Sequence, residues 1–197
     1  MKIRKYEVGD EAEWLKCRLL SFFDSSYCRD VLTAREVYQN DAICLVAEQD
    51  GKIVGLIDAE IESQVGDLCV AGNELGAVIW HLAVLPEYRR QHIATMLWGE
   101  VQKQLTARGV KYCEVWTQED EPANRWYLKH GFSNIKEQNW LRCYARPSKA
   151  DWFLNTANVG DIFGVEEMVF EVSPSRRNEV SQYCQKIVEV RLYAKDL

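Results

Sequence analysis

Residues 79–105 read IWHLAVLPEYRRQHIATMLWGEVQKQL. They begin inside the apolar run AVIWHLAVL (77–85), which Pro86 closes, and after a short charged loop they resume with Ile93, Met96 or Leu97, Val101 and Leu105 on one stripe. An apolar run of this kind predicts a central strand buried on both faces. The 3.6-residue spacing predicts a helix over 92–107 that stops at Gly109. A strand that turns sharply into a helix leaves the first N–H groups of that helix unpaired at the positive end of its dipole. Such an end binds anions, and Arg89 and Arg90 stand beside it, so charged donors and dipole converge in a way that suits a pyrophosphate.

Toward the N-terminus, AICLVAEQDGKIVGLIDAEIES (42–63) holds two β-rich runs joined by Asp50-Gly51, a hairpin signal because both turn residues need positive φ. Ile3 to Tyr6 predicts a first short strand. Asp10 to Phe23 predicts a helix with Asp10 as N-cap and Trp14, Cys17 and Leu20 or Ser21 facing inward, and Cys28 to Tyr38 a second helix. Toward the C-terminus, Lys111 to Gln118 alternates as a strand, a helix starts at Pro122 and ends at Gly131, and Phe132 to Ala145 holds one or two strands. Residues 1–145 are read as one domain and 146–197 as an extension that packs on it or completes it. That extension reads as a strand with Met168, Phe170 and Val172 to one side, a helix opened by Ser173-Pro174 and spaced by Val180, Tyr183, Cys184 and Ile187, and a strand over VEVRLYAKDL. Alternating strands and helices make the fold class mixed α/β.

The 197 residues carry 24 Lys and Arg against 30 Asp and Glu, a net charge of −6, which argues against nucleic acid as a partner and favours cationic ligands such as amines. Seven cysteines are scattered without a CxxC pair or a Cys/His cluster, the pattern of reduced thiols and no metal site. No secretory leader and no run of 18 apolar residues is present, so a cytoplasmic protein off the membrane is expected. A homodimer is left open.

LAV (82–84), PEYRRQHIA (86–94), the amphipathic helix, the next strand and ANRWYLKHGF (123–132), taken together, resemble the GNAT superfamily of acyl-CoA-dependent N-acyltransferases. The resemblance implies a mostly antiparallel central sheet flanked by helices, with acetyl-CoA wedged where two neighbouring strands part. The superfamily's loop motif is Arg or Gln, two residues, Gly, one residue, then Gly or Ala. Arg89 takes its first place and Ala94 its last, with Arg90, Gln91 and Ile93 between them, while His92 replaces the first glycine. If the backbone at 92 is already helical, its N–H is kept and a protonated imidazole adds charge; otherwise the Cβ and ring crowd the phosphates.

By the same resemblance, Tyr127 lies near the CoA sulfur and protonates the departing thiolate. Backbone N–H groups among Leu82, Ala83 and Val84 would stabilise the oxygen of a tetrahedral intermediate. Asp120 stands where relatives carry an asparagine on the cofactor side, a position that Asn124, on another helical face, does not replace. For the base that frees the amine, His81 is the first candidate, ahead of Glu74 and Glu114, with a water relay an equal alternative. His130, at a helix end, reads as a cap, and most of the seven tryptophans as core. The expected activity is N-acetylation of a primary amine, of a small molecule first and a peptide or protein second. The alternative is a CoA-binding sensor that has lost turnover. Loops 24–40 and 64–76 are expected to line the acceptor pocket.

Overall fold

The structure, a computed structural model, describes residues 1–145 and 167–197. Among them nine strands form one sheet: β1 (Lys2–Lys5), β2 (Ala42–Gln49), β3 (Lys52–Ile61), β4 (Gly76–Val84), β5 (Tyr112–Thr117), β6 (Ser133–Asn134), β7 (Trp140–Ala145), β8 (Met168–Val172) and β9 (Cys184–Asp196). Their order is β1-β2-β3-β4-β5-β9-β7-β8, with β6 also on β9. Only β4 and β5 pair in parallel, so the sheet is mixed and mostly antiparallel. The α-helices among the described residues are α1 (Glu11–Phe22), α2 (Ile93–Ala107), α3 (Glu121–Lys129) and the single turn α4 (Arg177–Val180), and none of them is long and apolar enough to cross a membrane.

The β2–β3 hairpin turns on Asp50 and Gly51, at φ 52° and 76°, as their residue types predict. Strand β3 is buried along nearly its whole length because both its faces are covered. On one face, a Cβ at Gly55 would come within 2.9 Å of Ile93 Cγ2 and 3.2 Å of the Ala83 carbonyl, so only glycine lets the start of α2 sit this close. On the other, Asp58 pairs with Arg35, whose guanidinium lies 5.5 Å from the Trp14 ring of α1. Helix α2 buries Ile93, Leu97, Trp98, Val101 and Leu105 and leaves Met96 outside, while α1 buries Trp14, Cys17, Arg18 and Ser21 and leaves Leu20 outside. Trp152 lies outside the described residues.

The pairing of β4 with β5 is short. It runs from Gly76 opposite Tyr112 to Ile79 opposite Val115 and then stops. Beyond it β4 continues to Val84 on β3, and β5 continues to Thr117 on β9, so the two strands part. At the parting point β4 carries a bulge: Ile79 faces Ala59 and His81 faces Asp58, with Trp80 the extra residue between them. Bulges bend and twist a strand, and this one steers β4 away from β5.

One predicted helix is absent and another is cut short. Residues 28–38 form turns and extended chain, because Arg35 and Tyr38 and the N–H groups of Gln39 and Asn40 are drawn onto carboxylates of β3. The helix expected to open at Ser173-Pro174 and run through Val180, Tyr183, Cys184 and Ile187 starts there but ends at Val180, and Cys184 already opens β9. The edge of β7 offers that segment main-chain partners from Trp140 to Ala145, and a short helix cannot compete with a full ladder.

Candidate active site

Where β4 and β5 part lies a cavity of about 700 Å3, walled by Ile79–Val84 of β4, Val115–Thr117 of β5, α3, the end of α1 and part of the loop that follows α1. The 64–76 loop, expected to line it, does not. That loop is turned onto the core, with Glu62 accepting from the N–H groups of Gly66, Leu68, Cys69 and Gly76.

One end of the cavity is the start of α2, where Ala94 lines it. The first bond of this helix runs from the Met96 N–H to the His92 carbonyl at 3.0 Å, so the N–H groups of Ile93, Ala94 and Thr95 have no carbonyl within the helix. His92 is left-handed, at φ 60° and ψ 14°, and so is Arg90, at φ 61°. The backbone at 92 is therefore not right-handed helical; it holds the conformation that glycine adopts freely, at a cost for histidine of about 1–2 kcal/mol. Arg89 is not a free arm either. It donates to the carbonyls of Ser21, at 2.7 Å, and Val84, at 3.2 Å, tying the end of α1 to the end of β4. Gln91 donates to the Glu87 carbonyl at 3.4 Å, and the side chain of Ile93 is buried as the anchor of the turn.

Tyr127 lines the opposite wall. Its ring packs edge-on to Trp126 and Phe132, and burial pushes its phenol well above the ordinary range. Asp120, expected on the cofactor side, lines the cavity and also caps α3, accepting from the Ala123 N–H at 3.4 Å. Asn124 is buried on another face and donates to the carbonyls of Gln118 and Asp120 at 2.8 and 2.7 Å, which closes the start of the same helix. His130 is the cap its position implies: Nδ1–H donates to the Trp126 carbonyl at 2.8 Å, and Nε2 lies 2.9 Å from Thr95 Oγ1, joining the end of α3 to the start of α2.

The remaining end holds His81, with both ring nitrogens engaged. Arg18 Nε donates to Nδ1 at 3.3 Å, and Nε2 lies 2.5 Å from Glu36 Oε2. Arg18, buried in α1, also donates to the carbonyl and carboxylate of Asp30 at 2.6 and 2.9 Å. The hydrogen bond from His81, first among several causes, holds the Glu36 carboxyl below the ordinary carboxylate range. Both ring nitrogens of His81, the first candidate for the base, are thus engaged within the protein. The other two candidates lie elsewhere: Glu114 is fully buried and accepts the N–H groups of Val70 and Ala71, and Glu74 is exposed on the 62–75 loop.

Arg18, Tyr27, Asp30 and Glu36 escaped the sequence reading. One signal was legible, since Arg18 sits on the buried stripe of α1 beside Trp14 and Cys17, where a charge needs a partner. Tyr27 accepts from the Gln118 N–H at 2.8 Å, which pins the loop to the end of β5. The cavity wall as a whole is acidic, with Asp24, Asp30, Glu36, Glu119, Asp120 and Glu121 against Arg18 and Arg89.

A parallel strand pair thus splays beside a helix N-terminus, with a buried tyrosine across the gap. Residues 10–132 match the model of the acetyltransferase (GNAT) family. The chain belongs to that family and is an acetyl-CoA-dependent N-acetyltransferase. Among solved structures, its fold is similar to that of the GNAT-family acetyltransferase from Streptococcus pneumoniae, at 16% identity over 100% of this chain and 99% of that one with a TM-score of 0.60. It is also similar to the ribosomal-protein-S18-alanine N-acetyltransferase from Escherichia coli, at 12% identity over 99% and 92% with a TM-score of 0.58. A third similar fold is the PaiA N-acetyltransferase from Thermoplasma acidophilum in complex with coenzyme A, at 18% identity over 68% and 91% with a TM-score of 0.54.

Proposed function

We propose that this chain moves the acetyl group of acetyl-CoA onto a primary amine of a small cationic molecule. The observation that carries the reading is the parting of β4 from β5 beyond Ile79 and Val115, which joins the free N–H groups of α2 to Tyr127 and then to an acidic recess. The N–H groups of Ile93, Ala94 and Thr95 and the turn of Arg90, Gln91 and His92 would hold the pyrophosphate, with Arg89 adding charge from behind. Over Leu82, Ala83 and Val84 β4 is paired with β3 on one edge, and its other edge, which β5 has left, offers main-chain groups to the pantetheine arm and to the oxygen on which charge develops. When bound, acetyl-CoA supplies the activated acyl carbon.

In this reading Tyr127 delivers a proton to the sulfur. Its phenol is a weaker acid than a thiol of pKa about 8.5, so the transfer proceeds only as Tyr127 regains a proton from the nitrogen side. Residues 1–145 form the acetyltransferase domain, and the segment from 146 completes its sheet through β9. The acidic wall selects ammonium-bearing acceptors, and the cavity volume of about 700 Å3, which the coenzyme's acyl end must share, favours small ones.

Acetyl-CoA incubated with a panel of mono- and diamines, amino acids and short peptides, followed by free thiol, tests this. Turnover is expected with the cationic small amines, and Tyr127→Phe is expected to lower kcat about 100-fold, in the range of lost general-acid catalysis, with little change in KM. Coenzyme A that raises the melting temperature while no amine of the panel releases thiol would favour the sensor reading, and no shift at millimolar coenzyme A would remove both.

A further inference from the structure

We propose that Glu36 is the group that takes the proton from the acceptor amine, and that His81 and Arg18 only position it; the assignment rests on the acetyl-transfer reading. A guanidinium has donors and no acceptor, so Arg18 Nε–H, 3.3 Å from His81 Nδ1, requires that nitrogen to carry the lone pair. The ring hydrogen then sits on Nε2 and points at Glu36 Oε2, 2.5 Å away. The imidazole has no lone pair left to offer. A second proton on Nδ1 would face the N–H of Arg18.

Glu36 is the open member of the chain. Its side chain lines the cavity and is 46% exposed, and a carboxylate offers about four lone-pair sites, of which His81 uses one. The charged and titratable groups around the pair come from every element packed on it. They are Arg18 from α1, Asp30, Arg35 and Tyr38 from the same loop as Glu36, and Asp58 from β3, which stands opposite His81 in the register. Arg35 and Tyr38 both donate to Asp58, and Glu60 accepts the N–H groups of Gln39 and Asn40, so the backbone on either side of Glu36 is anchored. Arg18 and Arg35 also favour the ionised form of Glu36.

The protons balance as follows. The acceptor enters as an ammonium and loses one proton to Glu36, whose exposed face passes it to water. The freed lone pair forms the C–N bond, the C–S bond breaks with its electron pair on sulfur, and the second proton leaves the nitrogen for Tyr127 as Tyr127 protonates the thiolate. A carboxylate is a weaker base than an amine, so the transfer is drawn forward by C–N bond formation and by removal of the proton to water.

Two variants and one spectrum test the assignment. Glu36→Gln keeps an acceptor for His81 Nε2–H but cannot take a proton. It should lower kcat at pH 7 at least 100-fold, leave the coenzyme A-induced rise in melting temperature intact, and regain rate as the pH climbs toward the pKa of the amine. His81→Gln retains a donor toward Glu36; it should lose less than tenfold and keep the parent pH profile. Nitrogen-15 spectra at pH 7 should place the His81 proton on Nε2. Turnover of Glu36→Gln within twofold of the parent, a His81→Gln variant as inactive as Glu36→Gln, or a proton on Nδ1 would each overturn the assignment and leave acetyl transfer standing. Absence of thiol release from the unmodified protein would overturn acetyl transfer and this assignment together.

Discussion

Residues 24–41 and 62–75 are both long connections without strands or helices, and both are held against the sheet by buried carboxylates, yet only the first reaches the cavity. In the second, Glu62 and Glu114 grip main-chain N–H groups alone, so the connection is a cover for the core. In the first, Asp58 grips two side chains, Arg35 and Tyr38, and Glu60 grips the N–H groups just beyond them. Gripping side chains fixes their identity and sets the one between them, Glu36, toward His81. A buried carboxylate is thus used in one place to seal the fold and in the other to present chemistry.

The largest expected effect comes from breaking the second kind of grip. Asp58→Ala removes the fully buried member of its ion pair and leaves the half-buried Arg35 without its carboxylate partner, which costs about 3–5 kcal/mol, or roughly 6–20 °C of melting temperature for a chain of this size. It should also lower kcat at least tenfold, because Glu36 adjoins Arg35. Asp58→Asn, which keeps an acceptor, should fold with a smaller loss of stability and still show the loss of kcat. Calorimetry beside thiol-release assays would decide. Stability lost by either variant at unchanged kcat would make residues 24–41 a mere cover and break the comparison.

Glu62→Ala is the intermediate case. It strands several N–H groups and should cost about 2–3 kcal/mol, yet leave kcat within twofold of the parent. A collapse of kcat out of proportion to stability, measured on the same preparations, would show that 62–75 also serves the cavity.

The smallest effect is pH-dependent. Burial holds the Glu114 carboxyl above the ordinary range, so the folded state keeps its proton to higher pH than the unfolded state. Its favourable contribution is complete below about pH 4.3 and is lost as pH rises through the folded pKa. Glu114→Gln should therefore melt with the parent at pH 4 and above it at pH 8. A variant less stable than the parent at pH 8 would show that the charged carboxylate is needed to hold Val70 and Ala71.

What could be read from the residues, and what could not, follows the range of the forces involved. The run from Gly76 to Gly131 was legible because each element is specified locally: an apolar strand, a stripe at 3.6-residue spacing, a proline near the start of a helix and glycines just past two helix ends. The expected helix over Cys28 to Tyr38 failed because its residues answer to Asp58, Glu60 and His81, which lie some 20 to 45 positions further along the chain. Arg89 hides its contacts within the fold for the same reason, its carbonyl partner Ser21 being 68 positions away. Its residue type and charge promised a ligand contact, but no periodicity encodes where a guanidinium finds its carbonyls. The left-handed backbone at Arg90 and His92 was equally hidden, since nothing in an arginine or a histidine announces positive φ.

Strand β9 lies between β5 and β7, although β5 ends at Thr117 and β9 begins only at Cys184. On a ribosome adding about 5–20 residues per second, the outer edge of β5 waits roughly 3–13 s for its neighbour to begin. Throughout that interval a nascent chain shows an open strand edge, the feature most apt to recruit a stranger. Birth order therefore makes one wall of the catalytic cleft the last to be secured, and chains stopped short of Cys184 would leave it unfinished.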